Sequence, residues 1–119
     1  MACIFSMKAF NATTGKEISG KIQKADTFMS RLLGLMPRNS LPSEEGLLLD
    51  PCNSIHMFFM KFPIDAVFLD KENKVVLLLE NFKPWRISPF VKNAKTVLEL
   101  PAGRCKGRVS AGDLIEFRA

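Results

Sequence analysis

Residues 50–70 read D-P-C-N-S-I-H-M-F-F-M-K-F-P-I-D-A-V-F-L-D, and this stretch decides how the chain folds. It holds the only histidine, one of three cysteines, two of six methionines and four of ten phenylalanines. A turn-forming entry leads into an apolar run at 55–62, Pro63 interrupts it, and a second apolar run follows at 64–69. Proline has no N–H to give to a strand ladder, so Pro63 marks a junction rather than a strand centre. The stretch therefore predicts a central pair of buried strands with a few polar groups embedded. At a period of two, Ser54, His56, Phe58 and Met60 share one face, and Ile55, Met57, Phe59 and Lys61 share the other. Both faces are mostly apolar, which predicts cover on both sides.

Outward from this stretch, residues 4–10 predict a first strand and 11–16 a turn. Residues 17–23 alternate, with Ile18, Gly20 and Ile22 on one side and Glu17, Ser19, Lys21 and Gln23 on the other, so the two strands form a hairpin. Asp26 or Thr27 caps a short helix that ends at Gly34. Phe28, Met29, Leu32 and Leu33 are expected on its inner face, with Met36 beyond. Two turns of helix are not stable alone in water, so this one must dock on the sheet. Further strands are expected at 47–49, 75–80, 96–100, 108–109 and 114–117, with a polar hairpin at 71–74 and an extended loop through Pro84, Trp85 and Pro89. Gly112-Asp113 reads as a hairpin turn.

The expected fold is mainly β, a compact antiparallel barrel or sandwich of seven to nine short strands with one short α-helix. A parallel sheet needs helical crossovers, and the chain has room for only one. A length of 119 residues with 47% apolar content fits a single globular domain over 1–119. No apolar run approaches the roughly 20 residues that span a bilayer, so no membrane is expected as a partner. Cys3, Cys52 and Cys105 make no disulfide framework, and the start lacks the pattern of a secretion signal; a cytoplasmic location is expected. A net charge of +5 without any basic run excludes sequence-specific nucleic-acid binding and favours an anionic partner through the summed field.

Few residues carry chemistry. His56 is a candidate base if Asp65, Asp50 or Glu99 orients it. Cys52 lies four residues before it, a nucleophile–base spacing that an extended strand stretches to about 13 Å. The three cysteines and His56 lack the pairing of a zinc site, so no metal and no cofactor are expected. Asp65 needs Arg31 or Lys61 beside it, either as a buried pair or as a clamp for a polar ligand. Trp85 and Arg86, between two prolines, suit either a lid or a recognition surface.

Five ordered segments, R-L-L-G-L-M (31–36), E-G-L-L-L (45–49), S-I-H-M-F-F-M-K-F-P-I-D-A-V-F-L-D (54–70), A-K-T-V-L-E-L-P-A-G (94–103) and G-D-L-I-E-F (112–117), carry a resemblance. Together they resemble the prokaryotic family called domain of unknown function 192. The resemblance implies a compact mainly-β domain with a short helix and assigns no reaction. Many relatives resemble secreted or tethered forms. Where relatives often carry Trp-Met-Lys-Asn, this chain reads Phe59-Met60-Lys61-Phe62, and His56 belongs to a subset, which implies that it is not a base common to all members.

The first functional expectation is a binding module, a closed β structure whose mouth holds Arg31, His56, Lys61 and Asp65 with Trp85 and Arg86 nearby, for a small polar or anionic ligand. The second is a small hydrolase or transferase using His56 with Asp65 or Cys52. The third is a protein-interaction adaptor using Trp85, Phe82 and Phe90, its partner protein unknown; it predicts an exposed apolar patch.

Overall fold

In a computed structural model, residues 6–119 are described, Phe28 and Leu32 by their backbone alone. The elements run β1 (Ser6–Asn11), β2 (Glu17–Ala25), α1 (Phe28–Leu33), β3 (Glu45–Leu49), β4 (Ile64–Leu69), β5 (Val75–Phe82), β6 (Thr96–Pro101) and β7 (Ile115–Arg118). The seven strands form one sheet in the order β5-β4-β6-β3-β2-β1-β7. The fold is mainly β with one short helix, as its sequence indicates. It is not a closed barrel: β5 and β7 remain the two edges, tied at one end by a bridge between Lys74 and Leu114.

Six pairings hold the sheet, and only β2 with β3 is parallel. Helix α1 lies on the connection between those two strands, which is the one helical crossover the chain has room for. Thr27 caps the helix and closes a reciprocal box with Ser30, whose N–H donates to Thr27 Oγ1 at 3.1 Å while Thr27 N–H donates to Ser30 Oγ at 3.0 Å. The box turns Ser30 inward, where it is buried. Met29 and Leu33 are instead exposed, which corrects the expected inner face; Phe28 and Leu32 lie outside the described side chains. Gly34 ends the helix at φ 50° and ψ −125°, a backbone setting that only glycine adopts readily.

The sheet buries apolar residues on both sides. Ile18, Ile22, Leu48, Val67, Leu98 and Leu100 meet on one face, while Leu47, Leu49, Ala66, Phe68 and Val97 meet on the other with Ile55, Met57 and Met60. Strand β4 is buried at every position, as a strand covered on both faces must be, and Asp65 is its one polar residue. On the first face Gly46 allows close approach: a Cβ there would stand 2.7 Å from Ile22 Cδ1 and 2.8 Å from Leu100 Cδ2.

Several expectations are corrected. Residues 55–62 are not a strand of the sheet; His56 bridges only to Ile87, and the chain turns at 58–59. Residues 108–109 are not a strand: Arg108 ends a run of turns and Val109 follows it without regular structure. Ser19 is buried because its hydroxyl donates to the Glu44 carbonyl at 2.8 Å. Asp113 serves a turn, accepting from Ser110 N–H at 2.8 Å, but the strand that follows pairs with β1 and makes no hairpin. The first strand is described from Ser6; Ile4 and Phe5 lie outside the described residues.

Candidate functional site

Two loops cover the second face of the sheet and carry most of the candidate residues. Residues 53–57 run against 85–91: Met57 N–H donates to the Arg86 carbonyl at 2.7 Å, Trp85 N–H to the Met57 carbonyl at 2.8 Å, Ser88 N–H to the Ile55 carbonyl at 2.8 Å and Val91 N–H to the Asn53 carbonyl at 2.9 Å. Alternation holds over these few residues, so Ile55 and Met57 are buried while Ser54 and His56 are exposed. The chain then turns, with Met60 N–H donating to the Met57 carbonyl at 3.2 Å. Phe59 pays for that turn with a φ of 64°.

Beneath this ribbon, beside α1, lies a cavity of about 70 Å³. Arg31, Gly34, Cys52, His56, Met60 and Glu99 line it. Glu99 forms its floor. It comes from the middle of β6, opposite Leu47 on β3 and Ala66 on β4, so it projects from the apolar second face. It is 6% exposed, and its carboxyl makes no hydrogen bond or ion pair among the described residues. One oxygen would lie 3.9 Å from a Cβ placed on Gly34, so the absent side chain there leaves its approach open. Burial pushes this acid up to about 7, because nothing nearby compensates its charge.

Neither basic residue of the cavity serves Glu99. Arg31 Nη1 donates to the Asp26 carbonyl at 3.2 Å, back along the helix. His56 Nδ1 accepts the Phe58 N–H at 3.3 Å, so that nitrogen is turned toward its own loop. The half-buried Cys52 thiol donates to the Ser54 carbonyl at 3.2 Å; burial first, and then the Glu99 charge, push it above the usual thiol range. That environment is the reverse of one that activates a nucleophile.

An open apolar groove of about 540 Å³ adjoins the cavity and shares Leu33, Met36 and Met60 with it. Its far wall is Phe59 and Trp85, whose rings meet edge to face at 5.0 Å. His56, Phe58 and Trp85 continue the series at centroid separations of 5.1 and 6.0 Å. Phe59 is 66% and Trp85 60% exposed, and both hold positive φ, 64° and 68°. Two bulky residues are thus kept in the sparsely populated left-handed region and presented to solvent.

The structure brings Arg31 and His56 to the cavity and Lys61 and Trp85 to the groove, where Lys61 Nζ donates to Asn39 Oδ1 at 3.2 Å. Asp65 does not join them. It shares the first face with Val67 and Leu69, is fully buried, and accepts backbone N–H groups of Asn81 at 2.9 Å, Gly103 at 3.1 Å and Cys105 at 2.9 Å. Its expected partners Arg31 and Lys61 are replaced by main-chain amides, and it ties β5 to the turn after β6. The exposed Arg86 lines a separate hollow with Glu80, Asn81 and Lys83. Glu99, weighed in the sequence only as a partner for His56, is the residue this site is built on. Its signal was an acid in the centre of the apolar run T-V-L-E-L. Among the described residues no three His, Cys, Asp or Glu side chains gather as a metal set, and no helix is long and apolar enough to cross a membrane.

Residues 9–117 match the profile of DUF192, described as an uncharacterized ACR. The chain belongs to the DUF192 family. It is similar to UPF0127 proteins of archaea: one from Pyrococcus abyssi is 37% identical across 90% of this chain and 94% of the relative, and one from Pyrococcus furiosus is 37% identical across 90% and 95%. One from Thermococcus sibiricus is 41% identical, over 78% of this chain and 62% of that protein. Two crystal structures share the DUF192 chain's fold. A protein of unknown function from Novosphingobium aromaticivorans superposes with a TM-score of 0.81 at 20% identity, covering 98% of this chain and 92% of that one. A protein from Sinorhizobium meliloti titled a putative transcription regulator superposes with a TM-score of 0.77 at 27% identity, covering 94% and 92%.

Proposed function

We propose that this DUF192 protein is a binding module that seats a small polar group on Glu99 and lays the rest of the ligand along the Phe59–Trp85 groove. The observation that carries this reading is the nearly buried Glu99 carboxyl, which faces a cavity without a hydrogen-bond partner among the described residues. A carboxyl set among apolar side chains is costly to charge, so one that reaches an open cleft without a protein partner favours a ligand that completes it. The adjoining apolar walls fit the usual make-up of a small-molecule site, in which a few placed polar groups sit among hydrophobic ones.

A hydrolase or transferase reading finds less support. His56 and Asp65 lie on opposite sides of the sheet, and the Cys52 thiol donates to a backbone carbonyl rather than to the imidazole. The adaptor reading gains from one feature, that Trp85 and Phe90 are each at least 60% exposed together with Phe59 and Ile87, but Phe82 is half-buried against the core and does not join them. The free Cys52 and Cys105 thiols support a reducing, cytoplasmic setting for the module.

Titration of 15N-labelled protein with a library of small polar fragments tests the reading. Amide shifts are expected to cluster on Gly34, Leu35, Cys52 and His56. Fragment binding confined to other surfaces, or none at millimolar concentration, overturns it.

A further inference from the structure

We propose that the ligand carries a primary ammonium group, which enters the small cavity and pairs with Glu99 while its apolar body follows Leu33, Met36 and Met60 to the Phe59–Trp85 shelf. The inference rests on the binding-module reading and adds the chemical class of the ligand.

Three observations point to a cationic donor. First, Glu99 is the acceptor at the floor of the cavity, and neither Arg31 nor His56 donates to it. What the carboxyl lacks is an N–H, and a charged N–H makes the stronger bond. Second, the cavity of about 70 Å³ holds roughly two waters' worth of volume at ~30 Å³ each, enough for an ammonium and its first methylene. An anionic ligand would instead set a second acid directly against Glu99, which lacks a paired cation among the described residues. Third, the residues shared by cavity and groove are apolar (Leu33, Met36 and Met60), so a ligand passing from one to the other is hydrocarbon at that point.

The titratable groups facing Glu99 are Arg31 from α1 and Cys52 and His56 from the loop. Strands β3 and β4 contribute Leu47 and Ala66 opposite it, neither of which titrates. An ammonium docking on the protonated acid must expel its proton to solvent, leaving a carboxylate–ammonium pair. Binding therefore releases protons below about pH 7 and releases none well above it. A neutral ligand releases none at either pH, and a carboxylate ligand takes protons up.

n-Hexylammonium, 1-hexanol and hexanoate, matched in stem length, are the probes, with calorimetry in two buffers of different ionisation enthalpy and amide shifts at Gly34 and Cys52 as readouts. Hexylammonium is expected to bind at least tenfold more tightly than either of the others at pH 8, with proton release at pH 6 that vanishes by pH 8.5. Glu99→Gln is expected to lower its affinity at least tenfold. The proton count needs no variant, so it stands even if that substitution unfolds the chain. Equal or tighter binding of hexanol or hexanoate in the cleft overturns the ammonium assignment and leaves the site standing. No shift at Gly34 or Cys52 with any of the three overturns both.

Discussion

Asp65 and Glu99 are buried carboxyls on neighbouring strands that face opposite sides of the sheet: Glu99 stands opposite Ala66, the residue next to Asp65. The first accepts three main-chain N–H groups, and the second has no partner among the described residues. One carboxyl is spent on the fold. The other faces the cavity beside α1.

Replacing Asp65 with Ala is expected to lower stability by about 3 kcal/mol or more, because it strips three N–H groups of a charged acceptor. Asp65→Asn keeps one acceptor oxygen and is expected to lose about half as much. Urea denaturation measures both. An unchanged midpoint for the alanine variant would refute this role.

Glu99 makes stability depend on pH with a defined sign. Its folded value of about 7 lies above the ordinary 4.5, so the folded state holds the proton more tightly than the unfolded chain. The stability it contributes is complete below about pH 4.5 and is lost as pH rises through 7. At about 1.4 kcal/mol per unit, the loss is roughly 3 kcal/mol. Glu99→Gln, which mimics the protonated acid, is expected to be near wild type at pH 4 and more stable by that order at pH 8. Thermal unfolding across that range gives the comparison, and parallel curves for the two proteins would contradict it.

How much of this site was legible in the sequence differs by residue. The acid inside T-V-L-E-L was visible as an oddity, since a buried strand rarely admits a charge. Its lack of a partner was not, because partners come from α1 and from residues 52–56, far along the chain. The apolar run at 55–62 promised a strand because period-two alternation does not tell a sheet strand from a ribbon buried against a loop. The pairing that decides between them, Met57 with Trp85 and Arg86, spans nearly thirty residues.

The backbone of Phe59 offers a clean comparison. Phe59→Ala and Phe59→Gly both remove an exposed ring, but only alanine must still adopt φ 64°. The glycine variant is expected to be more stable than the alanine variant by about 1 kcal/mol, and both to weaken ligand binding in the groove. Equal stabilities would show that the turn relaxes and holds no strain.

Cys52 should react sluggishly. Burial and the Glu99 charge keep its thiol protonated, so alkylation by iodoacetamide at pH 7.5 is expected to run several-fold slower than for an exposed cysteine. Glu99→Gln should speed it. Cys105 is fully buried beside Asp65 and should label only on unfolding. Fast labelling of Cys52 in the wild type would remove the desolvated cavity from the account.

The sequence by itself determined the mainly-β architecture, the β1–β2 hairpin, the capped helix and the buried β4, since each follows from alternation, capping and turn chemistry among near neighbours. Tertiary structure alone decided that Asp65 and Glu99 part to opposite faces, that the sheet stays open, and that His56 lies over a cavity instead of inside a strand. Local pattern fixes which residues must leave water; which of several distant segments covers each of them depends on three-dimensional packing, and that leaves no periodic trace in the chain.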